Sequence, residues 1–132
     1  MAGSSSSPLT KKLGIVDGST VIVLDAPADL HLDLADNVTV RRQLRGKVDV
    51  ALVFVTRFSQ VQRRFEKLAA SVYPSGGLWI AWPKRSSGVE TDVTDHVVRR
   101  LSIENGLVDN KVCAIDDTWT AIRVVWRREN RP

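Results

Sequence analysis

Apolar residues fall along this chain in short β-branched runs, interrupted by two longer stretches with helical spacing. Val21-Ile22-Val23-Leu24 lies between Asp17-Gly18 and Pro27, which predicts a buried strand. Val38-Thr39-Val40 predicts a weaker second strand, and residues 49–55 are apolar on both alternating faces, as in a central strand of a parallel sheet. Val61, Phe65, Leu68, Ala69 and Val72 then repeat at helical spacing, with Ser59 as the expected N-cap and Pro74-Ser75-Gly76-Gly77 as the stop. Residues 78–82 predict the next strand. A second helix is expected over 92–105, with Val93, Val97, Val98 and Leu101 on one face, Thr91 as cap and Gly106 as exit. Residues 108–115 and 121–126 predict two strands joined through Asp116-Asp117-Thr118 as a hairpin. Thr10 to Leu13 can make a helical turn closed by Gly14, while residues 29–36 are readable either as extended chain or as a helical turn.

Strand, helix, strand, helix, strand predicts an α/β domain with a mostly parallel sheet, a C-terminal antiparallel hairpin and the two main helices on one face. That arrangement leaves the second face to be covered, although residues 21–24, 50–55 and 78–82 are apolar on both sides. Either residues 9–15 and Leu30, Leu32 and Leu34 fold across it, or two chains pack together as a homodimer. Residues 1–8, rich in Gly and Ser, read as a disordered tail, 9–127 as the domain and 128–132 as a flexible C-terminus.

Composition narrows the setting. A chain of 132 residues with 43% hydrophobic content can bury a core without staples. Its single cysteine, Cys113, excludes an internal disulfide and a cysteine-rich zinc cluster, and its place between Val112 and Ala114 reads as a buried small hydrophobe. Residues 1–14 lack the apolar region of a secretory signal, and the longest apolar run is far too short to span a bilayer. A cytoplasmic location and no membrane partner are expected.

The net charge of +4 is unevenly distributed. Residues 1–36 hold two lysines against five aspartates, residues 37–88 ten basic side chains against Asp49 and Glu66, and residues 89–132 seven basic against eight acidic. The basic middle third, with Arg41, Arg42, Arg45 and Lys47 in one cluster and Arg63, Arg64 and Lys67 on a helix, makes nucleic acid an alternative partner. No aromatic interleaving of the kind used by single-strand binders accompanies it.

Common catalytic motifs are missing: there is no GxxxxGK[ST], HExxH or GxSxG. His31 and His96 are the only histidines, and His96 reads as a surface residue of a helix. No cofactor, metal site or catalytic residue is therefore expected from motifs.

Leu13-Gly14-Ile15, the stretch from Gly77 through Leu78, Trp79, Ile80, Ala81, Trp82 and Pro83 to Lys84, Asp92-Val93-Thr94 and the run from Asp109 to Trp119 together carry a resemblance. Over residues 9–127 the chain resembles a family of small bacterial proteins known only as a domain of unknown function, which implies no activity. More loosely, it is similar to the C-terminal half of Rossmann-like class I methyltransferases. That likeness implies a single Rossmann-like domain and its strand order. Sites for S-adenosylmethionine (SAM) in such folds use a Gly-rich loop after the first strand and a carboxylate at the end of the second. Here the first strand runs into Asp25-Ala26-Pro27 and the second ends at Arg41-Arg42, so the chemistry is not expected to follow the fold.

In open parallel sheets, ligands bind at the carboxyl ends of the strands. Those ends carry Arg57, then Trp82, Lys84, Arg85, Ser86 and Ser87, then Trp119. Lys84 and Arg85 with two hydroxyls, ahead of a helix start, predict an anion site, while Trp82 and Trp119 are expected on one rim. Glu90, Asp92 and Asp95 oppose this by supplying negative charge of their own. The expectation is a non-enzymatic module binding an anionic small molecule or a protein partner. A nucleic-acid-binding protein and a small enzyme without a recognised motif are the alternatives.

Overall fold

A strand that is buried on both faces needs cover on both, and in this protein the two covers are unlike. The structure, a computed structural model, describes residues 8–132, so the tail expected at 1–8 lies outside the described residues except for Pro8. Six strands form one sheet in the order β2-β1-β3-β4-β6-β5: β1 (Thr20–Leu24), β2 (Thr39–Arg41), β3 (Val50–Phe54), β4 (Gly77–Pro83), β5 (Leu107–Ala114) and β6 (Trp119–Trp126). β1 pairs in parallel with β2 and β3, and β3 with β4, while β6 is antiparallel to both β4 and β5. This is the mostly parallel α/β sheet with an antiparallel C-terminal hairpin that the hydrophobic pattern predicts, in the Rossmann-like form that the resemblance implies.

Helices α2 (Phe58–Val72) and α3 (Asp95–Glu104) lie on the same face. Val61, Phe65, Leu68 and Val72 of α2, with Val98 and Leu101 of α3, pack onto Ile22, Ala51, Val53, Leu78, Ile80, Ile122 and Val124. Burial of each such side chain contributes about 1.5–3 kcal/mol.

The opposite face is closed without a long helix. Leu13 and Ile15, beyond the short α1 (Pro8–Lys12), cover Val21, Val23, Leu52, Phe54 and Trp79, and Leu9, Leu30, Leu32 and Leu34 pack against that cluster. Cover from within the chain therefore answers the question the pattern left open. The leucine-bearing segment 29–36 contains turns and extended chain but no helix.

Both long helices begin away from their sequence signals, α2 earlier and α3 later, because side chains other than the expected ones cap them. The residue before α2 is Arg57 rather than Ser59. Gln60 Oε1 accepts from the Thr56 and Arg57 amides at 2.9 and 3.0 Å, and Asp92 Oδ1 accepts from the Phe58 amide at 2.7 Å. α3 starts at Asp95, with Thr94 as its N-cap accepting from the Val97 amide at 3.3 Å. At the C-terminus a single 3-10 turn, Arg128–Asn130, follows β6, and Asn130 Nδ2 donates to the Gly106 carbonyl at 3.0 Å.

The second cover is tied to the sheet through Trp79, 1% exposed, whose Nε1 donates to the Leu13 carbonyl at 3.0 Å. Trp79→Phe keeps an aromatic side chain but removes the indole N–H together with part of the buried bulk, leaving the Leu13 carbonyl without this donor. The expected loss is about 1–3 kcal/mol, read as a lower urea midpoint with faster amide exchange over residues 9–15. An unchanged midpoint would mean that this hydrogen bond does not hold the cover in place.

Candidate functional site

The parallel strands β1, β3 and β4 end on one rim, and the chain leaves each of them differently. After β1 the backbone turns at Asp25, whose φ of 58° is the one positive φ outside glycine among the described residues. Aspartate tolerates this left-handed conformation better than most side chains. Its carboxylate is held by Arg64 of α2, Oδ2 to Nη2 at 2.9 Å. Ala26 and Pro27 then lead into a cavity of about 390 Å3 beside the ends of β1 and β2, walled by Val23, Leu30, Leu32, Val40, His31 and Arg42. Neighbouring Arg41 is engaged elsewhere, its Nη1 donating to the carbonyls of Arg45 and Lys47 at 3.1 and 3.3 Å.

At the end of β4 the chain makes a strap, residues 83–94, before α3. The Lys84 amide donates to the Thr118 carbonyl at 2.7 Å, and a 3-10 turn over Arg85–Ser87 follows, closed by Ser87 Oγ donating to the Lys84 carbonyl at 2.6 Å. Gly88, at φ 78°, lets the backbone reverse. Thr91 then anchors the strap by donating from Oγ1 to the Thr56 carbonyl at 2.6 Å, and Asp92 caps α2.

Between the strap, α3 and the hairpin lies a larger cavity, about 680 Å3. Its walls include Trp82, Lys84, Arg85, Arg99, Val112 and Ile122. Arg99 bonds Asp109 through Nε at 3.0 Å and Asp95 through Nη1 at 2.9 Å, and its pKa is raised, chiefly by the hydrogen bond with Asp109. Glu90 lies 3.6 Å from Arg57. No ion pair involves Lys84 or Arg85 among the described residues.

Of the residues singled out in the sequence, Trp82, Lys84 and Arg85 share this cavity. Ser86 and Ser87 do not line it, and Arg57 stands outside it, on Glu90. Trp82 and Trp119 are on opposite faces: Trp82 belongs to the core under α2 and α3, whereas Trp119 stacks edge-on against Phe54 in the other core, centroids 5.1 Å apart. Cys113 is buried, and that burial pushes its thiol pKa up against a smaller opposing pull from Lys12. His96 is exposed on α3.

Sequence reasoning missed the left-handed Asp25, the cap that Asp92 places on a helix 34 positions away, and the Arg99 cluster. Only the last left a readable signal, the i,i+4 spacing of Asp95 and Arg99. Among the described residues, no group of three or more metal-ligating side chains comes together, and no helix is long and apolar enough to cross a membrane.

No family model matches the chain and no curated protein matches it, so the resemblance to a bacterial domain family finds no support there. Solved structures do match. A SAM-dependent methyltransferase from Aquifex aeolicus superposes with a TM-score of 0.61 at 15% identity, over 88% of this chain and 86% of that one. Magnesium protoporphyrin IX methyltransferase from Synechocystis PCC 6803 with bound SAH gives 0.60 at 10% identity, over 86% and 77%. Fibrillarin from Methanococcus jannaschii, a pre-rRNA processing protein, gives 0.51 at 14% identity, over 93% and 71%.

The fold of this chain is therefore that of Rossmann-like methyltransferases. These neighbours overturn the expectation of a non-enzymatic ligand-binding or interaction module. That expectation leaned on the absent catalytic motifs, the missing glycine after β1 and the missing carboxylate after β2; at the first of those two places the chain turns at positive φ through Asp25.

The cap supplied by Asp92 ties the strap to α2 and so fixes the mouth of the larger cavity. Asp92→Ala should cost about 0.5–2 kcal/mol, measured by urea denaturation. It should also speed amide exchange at Phe58 while sparing β5 and β6. Unaltered exchange at Phe58 would refute the cap.

Proposed function

We propose that this chain is a small SAM-dependent methyltransferase whose donor binds at the β1–β2 end of the rim. The observation that carries the reading is the match of its fold, over most of its length, to SAM-dependent methyltransferases, one of them a structure with bound SAH.

The residues around the smaller cavity fit the donor at two of its three parts. Leu30, Leu32 and Val40 offer an apolar wall for a purine ring, and Arg42 offers a guanidinium for the methionine carboxylate. The ribose is where the chain departs, because the end of β2 presents Arg41 and Arg42 in place of a carboxylate. At about 390 Å3 the cavity falls within the range of small-molecule sites. When bound, SAM supplies an electrophilic methyl group. In this reading Asp25 shapes the approach by turning the chain sharply away from the end of β1, and its pairing with Arg64 holds that turn against α2. The buried Cys113 thiol, kept protonated by its surroundings, takes no part.

Isothermal titration with SAM and with SAH tests the proposal directly. One saturable site is expected for each, with NMR shifts centred on residues 25–42. Arg42→Glu should weaken both by at least about tenfold, the effect of losing one charge-assisted contact. Absence of any saturable heat at millimolar SAM would overturn the reading.

A further inference from the structure

The larger cavity has a chemistry of its own, separate from the donor site at β1 and β2. Its floor is apolar: Trp82 is 8% exposed, Ile122 and Val93 are buried, and Val112 at the mouth is 65% exposed. Polar groups approach it from the strap and from α3. Each acid near it already has a partner. Glu90 faces Arg57, Asp92 accepts from the Phe58 amide, and Asp95 pairs with Arg99, which also holds Asp109. Two cations on the cavity wall, Lys84 and Arg85, have no acidic partner among the described residues.

An apolar floor with an aromatic side chain and a pair of free cations at one end selects an amphiphilic anion. We infer that this cavity binds a small aromatic anion, its ring on Trp82, Ile122 and Val112 and its carboxylate or phosphate oxygens at Lys84 and Arg85. The volume suits a ligand of one or two rings. Stacking or edge contact with Trp82 adds to the area buried. Arg85 can meet two oxygens of one anionic group at once, whereas Lys84 acts as a point charge. Cations of the ligand are disfavoured by those same two side chains.

The experiment is an amide NMR titration of the full chain with benzoate, phenyl phosphate, inorganic phosphate and benzyl alcohol, each separately. Benzoate or phenyl phosphate should give saturable shifts confined to residues 82–95, Val112 and 120–122, and the stronger of the two identifies the anionic group. Phosphate alone and benzyl alcohol should each bind at least about tenfold more weakly. Lys84→Ala/Arg85→Ala should abolish saturation. Val112→Glu, which alters only an exposed side chain at the mouth, should weaken binding about tenfold through charge repulsion. Shifts that never saturate and spread over all basic surfaces would overturn the inference, as would equal binding of benzyl alcohol or wild-type titration by both variants. Failure of the donor reading shows instead at residues 25–42, so the two outcomes are read from different amides.

Discussion

The rest of this structure depends on a sheet whose central strands are apolar on both faces. Every residue of β3 and β4 is buried, as are Val21 to Leu24 of β1. Such strands cannot stand against water on either side. Two amphipathic helices close one face. The other is closed by a helical turn, an extended segment and single leucines, a cover whose backbone must find partners outside regular structure. It finds them in Trp79, which reaches the Leu13 carbonyl, and in Thr10, whose Oγ1 meets the Asp33 carbonyl at 3.3 Å. The irregular cover in turn sets the smaller cavity, since the leucines that seal the face also wall the space beside Arg42.

The strands were legible because most are apolar runs rich in β-branched or aromatic residues next to Gly, Pro or Asp, β1, β3 and β4 most plainly, and every expected strand lies within two residues of an observed one. Helix starts were not legible, since the capping side chains are not the ones that the local pattern singles out. Ser59 has the right chemistry for a cap, but Asp92 already accepts from the first amide of α2, and Gln60 from the Thr56 and Arg57 amides just before it. Thr91 has it too, yet its hydroxyl is drawn to the Thr56 carbonyl, and α3 waits until Thr94. A cap is a local signal only when no long-range partner outcompetes it.

Register explains why the two rim tryptophans part. Trp82 lies at the closing end of β4 and Trp119 opens the antiparallel β6, so the sequence places them at one end of the sheet. Trp119 pairs with Pro83, however, and Trp82 pairs with Thr120. Side chains directly opposite each other share a face and neighbours along a strand do not, so an offset of one residue puts the two indoles on opposite sides. No reading of the strands one at a time could have found this. The loop after β1, where the sequence offers no glycine, likewise takes a conformation that the residue types do not announce. Glycine is the easiest residue to place at positive φ, but an aspartate with a fixed carboxylate does the same.

The charge of the middle third is the hardest feature to read from composition, because the structure divides it among unrelated roles. Arg41 donates to two backbone carbonyls, and Lys47 donates to the Ala70 carbonyl while lying 5.3 Å from the centre of the Tyr73 ring. Arg64 holds Asp25, and Arg57 faces Glu90. What remains is dispersed: Arg42 stands beside the cavity on the leucine-covered face, Lys84 with Arg85 beside the one under α3, and Arg45, Arg63 and Lys67 elsewhere, without an ion pair among the described residues. Exposed ion pairs of this kind contribute little to stability, on the order of 0–1 kcal/mol. Their effect is instead on where free charge survives. A net charge summed over a segment therefore does not mark a binding face. Local pairing leaves cations standing beside both cavities, and it is those cations that give each cavity its preference for an anionic group.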